Sequence, residues 1–181
     1  MELIGLYLVG STLLVLAGVA KTIHPSDTAR ALAEVLPGRL DLRGLIRIGA
    51  AAEAVIGGVA FFLPRTIPAA LVCTSYLSFA AYVAYVRHRH GPLATCGCFG
   101  QPDTPATWLH VLVNLVLAVA AGVIAVRSSS TSTLRSVLTA QPWDGLPLLL
   151  AGAVGVWLTY QALALLPTLA TARGRMVGPK Q

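Results

Sequence analysis

Residues 3–20 read "LIGLYLVGSTLLVLAGVA" and contain no charged side chain. An apolar run of ~20 residues is what a helix needs to cross the hydrocarbon core of a bilayer. Four further runs have a similar length and composition: Gly44–Leu63, Ile67–Val86, Thr107–Val126 and Leu146–Leu166. Because each run is continuously apolar instead of alternating, a membrane β-barrel is disfavoured. The pattern predicts an all-α integral membrane protein with five transmembrane helices.

The composition of the whole chain supports the membrane class. Of 181 residues, 56% are hydrophobic and 11% are charged, and the mean hydropathy is +0.75. A soluble domain ordinarily has about 25% charged residues. The formal net charge is +6, but the basic residues flank the apolar runs, as membrane topology requires. We therefore expect the basic residues to face the surface of a lipid bilayer, and we expect no binding of nucleic acid.

The apolar runs divide the chain into four regions. Residues 1–126 are expected to form a four-helix membrane domain, and 146–166 a fifth transmembrane helix. The Ser/Thr-rich residues 127–145 are expected to be a flexible linker, and 167–181 a basic tail. Glu2 precedes the first run without a basic residue, so we expect a retained helix and not a signal peptide. In the first loop, Ser26 or Asp27 and then Pro37-Gly38 bound a short interfacial helix.

The distribution of Lys and Arg predicts an orientation. Nine of the thirteen lie in the loops and tail of one side: Lys21, Arg30, Arg39, Arg43, Arg87, Arg89, Arg173, Arg175 and Lys180. Three lie on the other side: Arg65, Arg127 and Arg135. Because basic residues collect on the cytoplasmic side, we expect the N-terminus outside and the loop between spans three and four inside a bacterial plasma membrane.

That loop contains the motif "TCGCFG" at residues 95–100, with Cys96 and Cys98 one glycine apart. Arg87 and Arg89 precede it, and a helix start at Asp103 or Thr104 followed by Pro105 comes after it. Positive charge and a nearby helix N-terminus both favour thiolate. A disulfide between the two cysteines closes a very small ring, which we expect to be strained and readily reduced.

Three interpretations of the motif remain open on the residues alone. The pair is a dynamic dithiol/disulfide centre, or it is an unreactive turn or fixed disulfide. In the third, Cys96 and Cys98 join His88 and His90 as ligands of zinc or copper(I). The remaining cysteine, Cys73, lies near the opposite end of span three and is expected to pack as a small apolar residue.

Polar residues inside the runs point to a chamber beneath this loop. With alternating helix directions, Lys21, Glu53, His110 and Asn114 fall in the same half of the membrane as the motif. Glu53 or His110 is a candidate to handle protons coupled to thiol chemistry, and the chamber is also a candidate site for a quinone ring. The simpler alternatives are a structural ion pair of Glu53 with Lys21 or Arg47, a solvated His110, and an Asn114 that hydrogen-bonds across helices.

Four stretches together resemble the MauE family of the DoxX-like group of bacterial membrane proteins. They are "LAGVAK" (16–21), "RIGAAAEAVIGG" (47–58), "CGCFG" (96–100) and "WLHVLVNLVLA" (108–118), and the resemblance extends over about Leu3–Val126. It implies a DoxX-like four-helix transmembrane bundle with an additional C-terminal helix. Glu53 and Asn114 match positions of that family.

The resemblance also implies a function. The family supports disulfide formation or transfer in exported proteins, beside a thioredoxin-like partner, and was first connected with maturation of methylamine dehydrogenase. Cys96 and Cys98 are then the redox pair. We expect Glu53 and His110 to assist them, Lys21 and Asn114 to line a possible quinone site, and no other cofactor to be required. The rival hypotheses are a soft-metal transporter and a non-catalytic assembly subunit.

Overall fold

A computed structural model describes residues 3–26, 28–29, 42–90, 107–127 and 133–164. This part of the chain is helical apart from short connections, and it contains no strand. The elements are α1 (Leu3–Ile23), α2 (Leu42–Phe62), α3 (Thr66–His90), α4 (Trp108–Arg127), α5 (Leu134–Thr139), a 3₁₀ helix (Pro142–Gly145) and α6 (Leu146–Ala164). The all-α prediction is thus confirmed for the described residues.

Helices α1 to α4 are each long and apolar enough to cross a membrane. This confirms four of the five predicted spans, and the protein is a multi-pass membrane protein. Helix α6 has a shorter apolar segment, Leu146–Ala162, so its role as a fifth span stays a prediction. Residues 25–26 and 28–29 are helical, and the rest of the predicted interfacial helix lies outside the described residues.

Helix α1 is the centre of the bundle. It packs along α2, while α3 packs along α4, and α1 also contacts α3, α4 and α6. Its buried side chains, which include Tyr7 and Leu14, form one apolar cluster with Val72 of α3 and Leu117 of α4. The outward faces of the helices carry exposed large apolar residues such as Ile48 and Val119, which is the surface that lipid covers in a membrane protein.

Small residues set the distance between α1 and α2. A Cβ atom added to Gly18 would lie 2.5 Å from Ala50 O and 2.6 Å from Ala54 N. A Cβ atom added to Gly57 would lie 2.7 Å from Ser11 O. Both positions therefore require glycine, because the two backbones approach too closely for any side chain between them. Such approaches are how membrane helices gain packing energy without a hydrophobic driving force.

Two tyrosine hydroxyl groups connect helices through the core. Tyr7 of α1 donates a 3.0 Å hydrogen bond to the carbonyl oxygen of Ala60 in α2. Tyr76 of α3 donates a 2.6 Å hydrogen bond to the carbonyl oxygen of Gly10 in α1. A buried tyrosine keeps its hydroxyl group satisfied in this way while its ring fills the core. The two bonds hold α1 against both of its neighbours.

The predicted flexible linker contains regular structure. Thr133 caps α5 through a capping box with Ser136, and Gly145 ends the 3₁₀ helix at a φ of 74°. A Cβ atom at Gly145 would meet Leu138, 2.5 Å from its Cδ2 atom, so the turn is folded against α5. Helix α5 has six residues, which is too few for a helical periodicity to be visible in the sequence. The capping residues Thr133 and Ser136 were the sequence feature that could have indicated this helix.

Candidate functional site

A buried ion pair joins α1 to α2. Lys21 Nζ lies 2.7 Å from Glu53 Oε2, and the two side chains are 10% and 20% exposed. Of the two partners predicted for Glu53, the structure selects Lys21, whereas Arg47 has an exposed side chain. An uncompensated charge in this setting costs several kcal/mol, so the pairing of Lys21 with Glu53 offsets the cost of placing each charge inside the bundle.

Lys21 also contacts α3. Its Nζ atom lies 4.5 Å from the centroid of the Phe79 ring, within the range of a cation–π interaction. The last turn of α1 thus places one ammonium group between the carboxylate of α2 and an aromatic face of α3. This fixes the position of the positive charge inside the bundle.

Helix α4 contributes His110 and Asn114 on one face. His110 is 2% exposed, and its Nδ1 atom shares a 2.8 Å hydrogen bond with Thr107 Oγ1. Asn114 Nδ2 donates to the carbonyl oxygen of His110 at 2.8 Å. The alternative of a solvated His110 is therefore wrong, because its side chain is enclosed although Trp108 in the same turn is exposed. The hydrogen bond of Asn114 runs within its own helix instead of across helices.

These side chains surround a cavity of about 40 Å³. Its polar lining comes from Lys21, His110 and Asn114, and its walls are Leu13, Leu14, Ala17, Tyr76, Phe79, Val113 and Leu117. A cavity of this size, with polar groups on two sides, has room for a few water molecules. The predicted chamber is thus present in part: Lys21, His110 and Asn114 line it, whereas Glu53 pairs with Lys21 but does not line it. Its use by a quinone stays a prediction.

The loop that carries the motif attaches at this end of the bundle. Helix α3 ends at His90, and the described chain resumes at Thr107, the hydrogen-bond partner of His110. Arg87 lies over the Trp108 ring at 5.4 Å and Arg89 over the Tyr85 ring at 6.0 Å. Basic side chains are thus held at the base of the loop. Cys96 and Cys98 themselves lie outside the described residues.

The metal alternative gains no support within the described residues. His88 is exposed near the end of α3, while Cys96 and Cys98 are outside the structure's described ranges. Across those ranges, no group of three or more His, Cys, Asp or Glu side chains is placed to hold a metal ion. The four-ligand set of Cys96, Cys98, His88 and His90 therefore stays a prediction.

A comparison with known protein families shows the family to which the chain belongs. The sequence profile described as "Methylamine utilisation protein MauE" matches residues 2–127. The chain belongs to the MauE family. No curated protein and no solved structure matches it.

The match to the MauE family confirms the resemblance inferred from the four sequence stretches. The matched region contains α1 to α4, the cysteine loop and all four polar residues of the cavity end. It ends at Arg127, so α5, the 3₁₀ helix and α6 lie beyond the MauE-family region. The family description associates these membrane proteins with methylamine utilisation.

Two residues of the site in this MauE-family chain were not predicted. Phe79 faces the Lys21 ammonium group, and Thr107 hydrogen-bonds His110. Nothing in the sequence distinguishes Phe79 from the other apolar residues of its helix, so its contact with Lys21 could not be predicted. Thr107 precedes His110 by three residues, the spacing of a side chain that caps the first turn of a helix, so this contact was accessible from sequence.

Proposed function

We propose that this protein is a thiol–disulfide redox protein of the bacterial plasma membrane whose reactive pair is Cys96 and Cys98. The observation that supports it best is the position of the polar cavity. Lys21, His110 and Asn114 line it toward the end of the bundle from which the cysteine loop emerges, and Lys21 pairs with Glu53 in the middle of α2. Lys21, Glu53 and His110 are ionisable, and ionisable side chains inside transmembrane helices commonly mark functional sites.

The proposed reaction is thiol–disulfide exchange. One thiolate of the pair attacks a disulfide of a partner protein and forms a mixed disulfide, and the second thiolate then displaces the partner's remaining sulfur. Two electrons pass to the partner, which leaves as a dithiol, and a disulfide remains between Cys96 and Cys98. The protons released by the two cysteines balance those taken up by the partner. The reverse sequence oxidises a partner dithiol.

The buried groups have two roles in this proposal. His110 accepts or donates a proton through water in the cavity, as histidine side chains commonly do in proton transfer. Glu53 and Lys21 place two opposite charges beside the cavity, and these charges sum to zero. Asn114 orders the first turns of α4 through its bond to His110 O. A quinone, if one binds, would take the two electrons from the thiol pair at a site larger than this cavity, because a volume of about 40 Å³ is too small for a quinone ring.

The partner that we propose is a thioredoxin-like protein on the side of the membrane that the cysteine loop faces. The charge distribution favours a cytoplasmic cysteine loop with the N-terminus outside. A loop on that side would exchange electrons with a cytoplasmic thiol system and pass them to a carrier within the membrane.

Alkylation trapping in intact cells tests the proposal. The chain with Cys73→Ala is labelled with a membrane-impermeant and then a permeant thiol reagent, after brief oxidative or reductive stress. We expect Cys96 and Cys98 to change together between labelled and protected states. The matched control is the triple variant Cys73→Ala, Cys96→Ser, Cys98→Ser, which reports background.

Three outcomes separate the rival functions. Thiols that never change state under either stress would exclude the redox function. Stoichiometric zinc or copper in the purified protein, lost in Cys96→Ser, Cys98→Ser, would favour metal transport through these residues with His88 and His90. Full support of exported disulfide formation by the double serine variant would favour an assembly subunit.

A further inference from the structure

An apolar groove runs along the outer face between α3 and α4, in the half of the bundle opposite the polar cavity. Its volume is about 460 Å³. Cys73 and Leu77 line it from α3, and Ala118 and Gly122 from α4. A Cβ atom added to Gly122 would lie 3.5 Å from Cys73 Sγ. Three of its eight lining residues, Cys73, Ala118 and Gly122, are small and leave space between the two helices.

The groove has the length of one leaflet. On α4 its lining begins at Ala118, near the middle of the helix, and ends at Arg127, the last helical residue. Nine residues at ~1.5 Å rise span about 14 Å, which is close to half of the ~30 Å hydrocarbon core. An acyl chain that entered from the membrane surface would therefore reach the bilayer midplane at Ala118.

The mouth of the groove carries a positive charge. Arg127 is exposed and lines the groove at its surface end. Within the described ranges, no carboxylate lies at ion-pair distance from its guanidinium group. A guanidinium group binds a phosphate through two parallel hydrogen bonds, and at this depth the phosphates present are those of lipid headgroups.

We propose that this groove is a binding site for an anionic glycerophospholipid, with one acyl chain along Cys73, Leu77 and Gly122 and its phosphate group on Arg127. A second copy of the chain is the less suitable occupant. A two-fold interface through this face would place two Arg127 side chains at the same depth, where like charges repel. The site is independent of the redox proposal, because it lies in the other half of the bundle.

Lipid retention on the full-length protein tests the site. Purified protein is titrated with palmitoyl-oleoyl phosphatidylglycerol or with phosphatidylcholine of the same acyl chains, and bound lipid is counted by native mass spectrometry. We expect one tightly held phosphatidylglycerol. We expect it to bind about fivefold more tightly than phosphatidylcholine, the factor that one basic residue contributes near an anionic surface.

Two variants separate the headgroup from the chain. Arg127→Gln should abolish the preference for phosphatidylglycerol and keep binding of both lipids, whereas Gly122→Leu should abolish retention of both. The controls are Arg135→Gln, an exposed arginine of α5, and Gly58→Leu, where an added Cβ has no neighbour within 4 Å. Both controls should retain lipid as the parent does.

A third measurement, the alkylation rate of Cys73, tests the groove without a substitution in its lining, so it does not depend on whether Gly122→Leu folds. In a chain with Cys96→Ser and Cys98→Ser, Cys73 is the remaining thiol, and its alkylation should slow several-fold when phosphatidylglycerol is added. The proposal is overturned if Gly122→Leu leaves lipid retention unchanged, if Arg127→Gln keeps the preference for phosphatidylglycerol, or if added lipid leaves the alkylation rate of Cys73 unchanged. A dimer that Gly122→Leu dissociates would also overturn it, in favour of a second copy as the occupant.

Discussion

Lys21 Nζ lies 2.7 Å from Glu53 Oε2, so the last turn of α1 is connected to the middle of α2 by opposite charges. The ammonium group also faces the ring of Phe79 in α3 and borders the cavity that His110 and Asn114 line. One lysine therefore contacts two helices and shares a cavity with a third. Loss of either charge leaves the other inside the bundle without a partner.

Replacement of Glu53 by Gln should lower the free energy of unfolding by about 3 kcal/mol, the lower end of the range for a broken buried pair. The lower end applies because the Glu53 side chain is 20% exposed. Lys21→Met should have a similar effect. The double variant Lys21→Met, Glu53→Gln should recover much of the loss, since no uncompensated charge remains. Reversible unfolding in mixed micelles measures all three, and strictly additive single effects would contradict the coupling.

The close approach of α1 and α2 makes Gly18 sensitive to one methyl group. Gly18→Ala should destabilise the bundle by about 1–3 kcal/mol, the usual cost of overpacking, because its Cβ would lie 2.5 Å from Ala50 O. Gly58→Ala on α2 is the matched control, with nothing within 4 Å of its added Cβ. It should be neutral or stabilise the helix by about 0.5–1 kcal/mol. Equal thermal stability of the two variants would contradict the close approach.

His110 should matter to thiol chemistry beyond its contribution to folding. If it transfers protons to and from Cys96 and Cys98, His110→Ala should slow reoxidation of the pair about a hundredfold, the lower end for general acid–base catalysis. Thr107→Val should have a smaller effect, because it removes only the hydrogen bond to Nδ1. Stopped alkylation time courses measure these rates. As a control, Ser78→Ala removes an exposed hydroxyl group of α3 that bonds its own helix and should leave the rate unchanged.

Helix α6 should cross the membrane as a fifth span although its apolar segment is shorter than those of α1 to α4. It packs on α1, where a Cβ atom added to Gly155 would lie 3.0 Å from Val9 Cγ2. Reporter domains fused at residues 130 and 175 should then report opposite sides of the membrane. The same side for both fusions would show that α6 returns or lies along the surface.

The helices that cross the membrane were predictable because apolar length is a direct physical requirement of the bilayer. The half of the membrane that holds Lys21, Glu53, His110 and Asn114 was also predictable, since chain direction alternates from span to span. Their partners were not. Whether Glu53 meets Lys21 or Arg47 depends on the rotation of α1 and α2 about their axes, which the close approaches at Gly18 and Gly57 restrict. Whether His110 is buried depends in the same way on the rotation of α4.

The turn around α5 shows a different limit. Sequence composition placed residues 127–145 in a linker, whereas the capping box at Thr133 and the contact of Gly145 with Leu138 build local structure there. Ser and Thr are frequent in irregular segments and are also the residues that cap helices. Composition alone does not distinguish these uses, because the difference lies in which backbone N–H group each side chain contacts.

The central position of α1 has a consequence for the biogenesis of the protein. Its most extensive contacts are with α2, the next long helix in the chain, and its buried lysine finds its carboxylate there. A hairpin of these two helices can therefore enter the bilayer as one unit with its charges already neutralised. Helices α3 and α4 then pack against this hairpin, in which contacts of Tyr7 and Gly18 already join α1 to α2. A hairpin that packs incorrectly would therefore impair the packing of each helix inserted after it.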